Sequence, residues 1–239
     1  MDNLAYELKP IQQDKEQKKS KKTKDKVLNR AWIRCISGRK IDLLDPSPLD
    51  VEFSDLSLSL SRICRWAGMT NSKHSYSVAQ HSVLVSDILK WTLESNQEKY
   101  DILIEESGYT KEQWVLASLC HDCSEGYLGG NLCGPAKDMF TNDLYRKIEK
   151  RIQEAIHIAI GIPPILPKEI KKAIKEADRA SSYAEAVLIA GFSKEEADSI
   201  FGGFVPLRED TKLPVLSAED SRKVFLERFN ELTKIIEMK

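Results

Sequence analysis

Four residues stand out for the chemistry they could carry: the adjacent pair His121-Asp122, an upstream His81 and a downstream Asp178. The pair follows an apolar stretch of helical pattern, Trp114 to Cys120. Burying an unsatisfied polar group costs roughly 2–7 kcal/mol, so such a pair needs a partner. A divalent cation is an economical one, and two imidazoles with two carboxylates suit Mg, Mn, Co, Fe, Ni or Zn. Each residue also has a plainer reading. His81 on an apolar stripe is the pattern of a hydrogen-bonded core histidine, and Asp178 that of a helix cap or a partner for a neighbouring Lys or Arg. The four together point to a site because all fall on inward stripes of three separate helices, as metal sites in helix bundles do.

Those stripes define the elements that must position the site. Val78, His81, Val85, Ile88 and Leu89 share one helical face, and Ser77 with Gln80 fits a capping box at its start. A polar stretch, Glu94 to Asp101, separates this helix from one starting near Thr110 or Lys111, which leads into His121 and Asp122; Glu125 follows one turn later. Gly126, Gly129, Gly130 and Gly134-Pro135 then predict a loop. Leu144 to Ile160 reads as an amphipathic helix, and Pro167 opens another with Ile170, Ile174, Ala177, Asp178, Ser181 and Ala184 inward. Ser193 to Glu196 resembles a capping box, and Ser217 to Met238 gives the last helix. Near the start, Ala31 to Ile41 alternates about Ser37-Gly38 as a hairpin would, and Ser54 or Asp55 is placed to cap the helix after it. The expected fold is an all-α helical bundle with a small β-hairpin near its N-terminal side. Of the other histidines, His157 reads as packing, and His74 lies in a loop from which it could reach a substrate.

Composition bounds the rest. The net charge of −1 rules out a polycation, but Lys9 to Lys26 holds eight lysines against three acids. With almost nothing to pack, residues 1–28 read as a disordered arm, either a solvated tail or a weak contact for a polyanion. A globular domain is expected over 29–215, with a C-terminal helix, 216–239, packed on or beside it. No apolar run approaches the ~18–20 residues of a membrane span. The five scattered cysteines, Cys35, Cys64, Cys120, Cys123 and Cys133, and the lack of a hydrophobic leader suit a reducing cytoplasm. Cys120 and Cys123 form a single C-x-x-C and read as small apolar helix residues rather than a zinc site.

The order His81, His121-Asp122, Asp178 is similar to the H…HD…D pattern of the HD-domain metal-dependent phosphohydrolases. The words Tyr76-Ser-Val-Ala-Gln-His81-Ser, His121-Asp-Cys-Ser-Glu125-Gly-Tyr-Leu-Gly129, Tyr145-Arg-Lys-Ile-Glu149 and Lys175-Glu-Ala-Asp178 resemble the bacterial and phage branch that includes the 5′-deoxynucleotidases. The likeness runs from about Ser37 to Gly191. It implies one divalent metal held by His81, His121, Asp122 and Asp178, with Glu125 as a catalytic carboxylate and a homodimeric assembly. It also implies that Arg65 clamps phosphate and Trp66 packs on sugar or base, with Arg62 as a lesser phosphate contact. Their plain readings are a helix-end ion pair for Arg65 and core packing for Trp66. Relatives carry a Gly-Asp dipeptide after the glutamate; here Gly130-Asn131 stands, and Asn131 can orient a water or leaving group but shuttles no proton at neutral pH.

The function the resemblance implies is metal-dependent release of phosphate from a nucleotide, a (deoxy)nucleoside 5′-monophosphate first. Two alternatives stay open. One is triphosphohydrolysis of a deoxynucleoside triphosphate, for which Arg62, Arg65, Lys73 and Lys137 are the obvious cations. The other is a non-catalytic nucleotide- or nucleic-acid-binding HD module with the lysine-rich arm supplying affinity.

Overall fold

The computed structural model describes residues 31–130, 143–202 and 212–238. The lysine-rich arm, Asn131, Cys133 and Lys137 lie outside the described residues. What is described is mainly helical, with one two-stranded antiparallel sheet near the N-terminal side. Strand β1 (Trp32–Arg34) pairs with β2 (Lys40–Asp42) in the register Ile33 opposite Ile41, and the turn between them carries Gly38 at φ 93°. Only glycine takes that left-handed conformation without strain.

The helices follow as α1 (Phe53–Leu60), α2 (Val78–Ser95), α3 (Gln97–Ser107), α4 (Lys111–Leu119), α5 (Ser124–Leu128), α6 (Asp143–Ala159), α7 (Lys168–Leu188), α8 (Lys194–Phe201) and α9 (Ala218–Glu237). Helix α2 is the central post, packed against α4, α7 and α9. Its Val85, Leu89 and Leu93 meet Trp114, Leu116 and Leu119 of α4 and Ile170 and Ile174 of α7 in one buried core. Phe225 and Leu232 of α9 belong to the same core, so the C-terminal helix is part of the bundle. A smaller apolar cluster joins Tyr183 and Ala186 of α7 to Ala197 of α8, with Trp66, Phe192 and Phe201 against it. No helix among the described residues is long and apolar enough to cross a membrane.

Gly126, expected to open a loop, lies instead inside α5. Four further local expectations change. Helix α1 is capped by neither Ser54 nor Asp55: it starts at Phe53, and buried Asp55 instead accepts hydrogen bonds from the amide and hydroxyl of Ser37, tying the hairpin to the bundle. Ser77 does cap α2 through the Gln80 amide, but the Gln80 side chain turns away to Pro214 and Leu216 and fixes the approach to α9. Glu94 to Asp101 is no linker. Helix α2 runs on to Ser95 and α3 follows after Asn96, because Tyr100, Leu103 and Ile104 form a narrow apolar ridge on the core that the surrounding charges hide in a linear reading. The fourth change concerns the break after α4, where His121 and Asp122 stand.

Candidate metal centre

The sequence suggests one helix through His121-Asp122, but α4 ends at Leu119 and α5 begins only at Ser124. Consecutive side chains on a continuous helix point about 100° apart, too divergent for both to reach one ion. The tight turn between the helices lets them converge, with His121 Nε2 3.3 Å from Asp122 Oδ2. No glycine or proline makes this break; a side chain from α6 holds it. The Gln153 amide nitrogen donates to the carbonyl of Cys120 (2.7 Å) and its oxygen accepts from the amide of Ser124 (3.1 Å), one on each side of the pair.

The other two groups arrive from helices that flank the turn. His81 lies one turn into α2 with its ring fully buried, and Asp178 sits midway along α7. His81 Nε2 is 3.3 Å from His121 Nε2, 3.6 Å from Asp122 Oδ2 and 3.3 Å from Asp178 Oδ1. Ligand atoms of His81, His121 and Asp122 all lie within 4.8 Å of one another, and Asp178 Oδ1 is 4.0 Å from His121 Nε2. The carboxylates keep about a quarter of their side-chain surface in solvent, at 26% for Asp122 and 24% for Asp178. The centre is therefore closed on the imidazole side and open on the carboxylate side, as a site that must admit a ligand would be.

The donor set fits a divalent cation for a definable reason. His121 Nδ1 donates to the carbonyl of Ser118 (2.7 Å), and His81 Nδ1 donates to Glu185 Oε1 (2.6 Å). Both partners can only accept, so in each neutral imidazole the hydrogen is on Nδ1 and the lone pair on Nε2. Two lone pairs and two carboxylates thus converge on one point, an arrangement that repels itself unless protons or a cation stand between them. Burial opposes charge on His121, yet Asp122 and then Asp178 overcome it and push the imidazole up to about 9. Burial and Arg65 likewise oppose charge on His81, but Glu185 and Asp178 raise it. Both aspartates are held far below the ordinary carboxylate range: against the pull of burial, His121 dominates at Asp122 and His81 at Asp178. A cluster that so favours positive charge is what a cation needs; His81, His121 and Asp122 can hold a metal ion, with Asp178 beside them.

Other expected residues fall around this centre in different ways. Glu125 is buried in the first turn of α5, one turn past Asp122. Arg65 and Trp66 are drawn to α7: Arg65 Nε and Trp66 Nε1 donate to Glu185 Oε2 at 2.8 and 2.9 Å, and an Arg65 Nη reaches Ser182. The Trp66 ring packs on Phe192 and Phe201. These contacts match the plain readings, an ion pair and core packing. Trp66 and Ala67 hold left-handed conformations, at φ 56° and 52°, in the turn where this occurs. Arg62 is exposed and lines a separate cavity of about 300 Å³ with Arg34, Ser59 and Tyr127. His74 is exposed in the loop before α2. His157 is buried, donating from Nδ1 to Pro164 and accepting at Nε2 from Gln153 (2.9 Å).

Glu185 is the residue that sequence reading missed. Fully buried, it stands two turns after Asp178, and the spacing Asp178, Ser181, Ser182, Glu185 repeats a helical face. That polar stripe inside an apolar one was the available signal, masked by the many lysines and glutamates of α7.

Known proteins place the chain among relatives. No family model matches it. It is 40% identical over 175 residues to the uncharacterized protein RCAP_rcc00048 of Rhodobacter capsulatus, an alignment covering 73% of this chain and 81% of that protein. It is 26% identical over 121 residues to the uncharacterized protein YfdR of Escherichia coli, covering 51% of this chain and 53% of YfdR. On the strength of the first match, the chain belongs to the family of the Rhodobacter capsulatus protein RCAP_rcc00048.

Proposed function

We propose that this chain is a metal-dependent phosphohydrolase of the HD type that releases phosphate from nucleotides, (deoxy)nucleoside 5′-monophosphates first. The observation that carries the reading is the convergence of two Nε2 lone pairs with two carboxylates, open to solvent on one side. The H…HD…D order and the words around it supply the reaction class. His81, His121, Asp122 and Asp178 would hold a divalent ion, which would supply Lewis acidity toward water and a phosphoryl oxygen.

The chain's own groups do the remaining work. His81 and His121 present fixed lone pairs because each Nδ1 is committed elsewhere. Asp122 and Asp178 are held far below the ordinary carboxylate range, so at neutral pH the ligand set carries two negative charges. Glu125, one turn beyond Asp122, takes the proton from the attacking water. The Arg65 charge, held by Glu185, lies within electrostatic range of both aspartates and favours the ionised state of Asp122.

A phosphate-release screen of nucleoside mono- and triphosphates with Mn, Co and Mg tests this, with Asp122→Ala as control. Orthophosphate from monophosphates, absent in the variant, is the expected result. Tripolyphosphate from triphosphates instead would assign the alternative substrate. Equal release by wild type and variant on every substrate defeats the enzymatic reading.

A further inference from the structure

Glu185 does more than balance a charge. Its Oε1 accepts from His81 Nδ1 (2.6 Å) and from the Ser181 hydroxyl (2.9 Å). Its Oε2 accepts from Arg65 Nε (2.8 Å) and Trp66 Nε1 (2.9 Å). All four donors come from side chains, and the carboxylate is fully buried among them. Two of those donors, the guanidinium and the indole, can never accept, so the Oε2 side must remain an oxygen. That in turn fixes Oε1 as the group facing His81. The Arg65-Trp66 turn reaches this position because Arg65 N–H bonds the carbonyl of Tyr76 (2.8 Å) just before α2.

The geometry points to Glu185 as the positioning residue that makes His81 a ligand, with Arg65 and Trp66 acting through it rather than on substrate. It rests on the metal centre read above. A carboxylate hydrogen-bonded to a ligating imidazole sets its tautomer, its orientation and its basicity. Here the same carboxylate is locked from behind by two donors from another segment. The turn before α2 and the ligand inside α2 are thereby joined across α7.

The substitution Glu185→Gln separates this role from a structural one. Arg65 and Trp66 keep the amide oxygen, so the amide NH₂ faces His81 Nδ1, which loses its carboxylate acceptor and is left with the Ser181 hydroxyl at 3.0 Å. The carboxylate that holds the imidazole hydrogen on Nδ1 and raises the basicity of Nε2 is then gone. Titration calorimetry of Mn²⁺ into the metal-free full chain should show about a 10–100-fold weaker Kd for Glu185→Gln. Trp66→Phe keeps the ring but removes one donor, and should weaken Mn²⁺ in the same sense by roughly tenfold or less. In ¹⁵N NMR of the Zn²⁺-loaded wild type, His81 should carry its hydrogen on Nδ1 with Nε2 metal-bound; this reading needs no variant to fold. The opposite tautomer overturns the proposal, as does a folded Glu185→Gln that binds Mn²⁺ like wild type. A Trp66→Phe enzyme with raised KM and unchanged Mn²⁺ affinity overturns the indirect role of Trp66. No Mn²⁺ binding by wild type removes the metal centre itself, and this role with it.

Discussion

Two buried histidine neighbourhoods sit within a few helical turns of each other and are built from the same opening move. At His157, as at His81 and His121, Nδ1 donates to an oxygen that can only accept. They part at Nε2. His157 meets the amide NH₂ of Gln153, so its last lone pair is answered and the ring is closed off. His81 and His121 turn their Nε2 atoms toward each other at 3.3 Å, with two carboxylates for company and no neutral donor among the described residues. The electrostatic consequence has opposite signs: burial pushes His157 down, whereas the aspartates and Glu185 push the other two up. A buried histidine is thus closed off or able to ligate according to what faces its second nitrogen, and not according to how deeply it is buried.

The contrast can be broken most directly with metal. At a hundred times its Kd, a bound ion stabilises a protein by about 2.7 kcal/mol, a rise of roughly 5–10 °C for a chain of this size. Asp122→Ala should lose that rise entirely, while His157→Gln should melt lower than wild type yet gain the full increment when Mn²⁺ is added. A His157→Gln protein that no longer responds to Mn²⁺ would merge the two neighbourhoods into one. Next in size is Gln153→Ala. It strands the Ser124 amide and His157 Nε2, at about 1–3 kcal/mol for a buried group left unpaired, and leaves the Cys120 carbonyl with the Cys123 amide alone. Because those groups bracket His121 and Asp122, Mn²⁺ affinity should fall as well; melting and calorimetry on one sample read both effects.

Smaller effects should appear in the pH dependence of the metal-free protein. His121 is raised to about 9, so its contacts stabilise in full below the ordinary value of about 6.5 and are lost as pH climbs through 9. His157 is lowered, so its contribution is full above about 6.5 and is lost on acidification. Thermal melts from pH 5 to 10 should therefore fall on both sides. His121→Ala should flatten the alkaline limb and His157→Gln the acid limb; a single variant that flattens both would erase the distinction.

How much of this was legible differs from residue to residue. His81 and Asp178 are readable because an ionisable group on an apolar helical stripe stands out, and the helix start near Thr110 and the capping pattern at Ser193 are local chemistry that the fold honours. The turn at His121-Asp122 is not readable. It contains no glycine or proline, and its cause, Gln153, lies about thirty positions away on another helix. Helix α3 was hidden by its charges, and Glu185 by being one glutamate among several on α7. The Arg65-Trp66 pair shows the limit from the other side: its residue types are noticed at once, but their partner comes from 120 positions downstream.

The turn that carries Trp66 and Ala67 also has a cost. Left-handed backbone costs an L-residue about 1–2 kcal/mol, and here two non-glycine residues adopt it in succession. Ala67, with ψ 26°, sits where glycine would rest without strain. Replacing it should gain roughly 1 kcal/mol or less, once the extra freedom glycine gives the unfolded chain is subtracted. The molecule thus keeps an untapped reserve of stability one residue from the indole that steadies Glu185, and a more heat-resistant version of this chain is one substitution away.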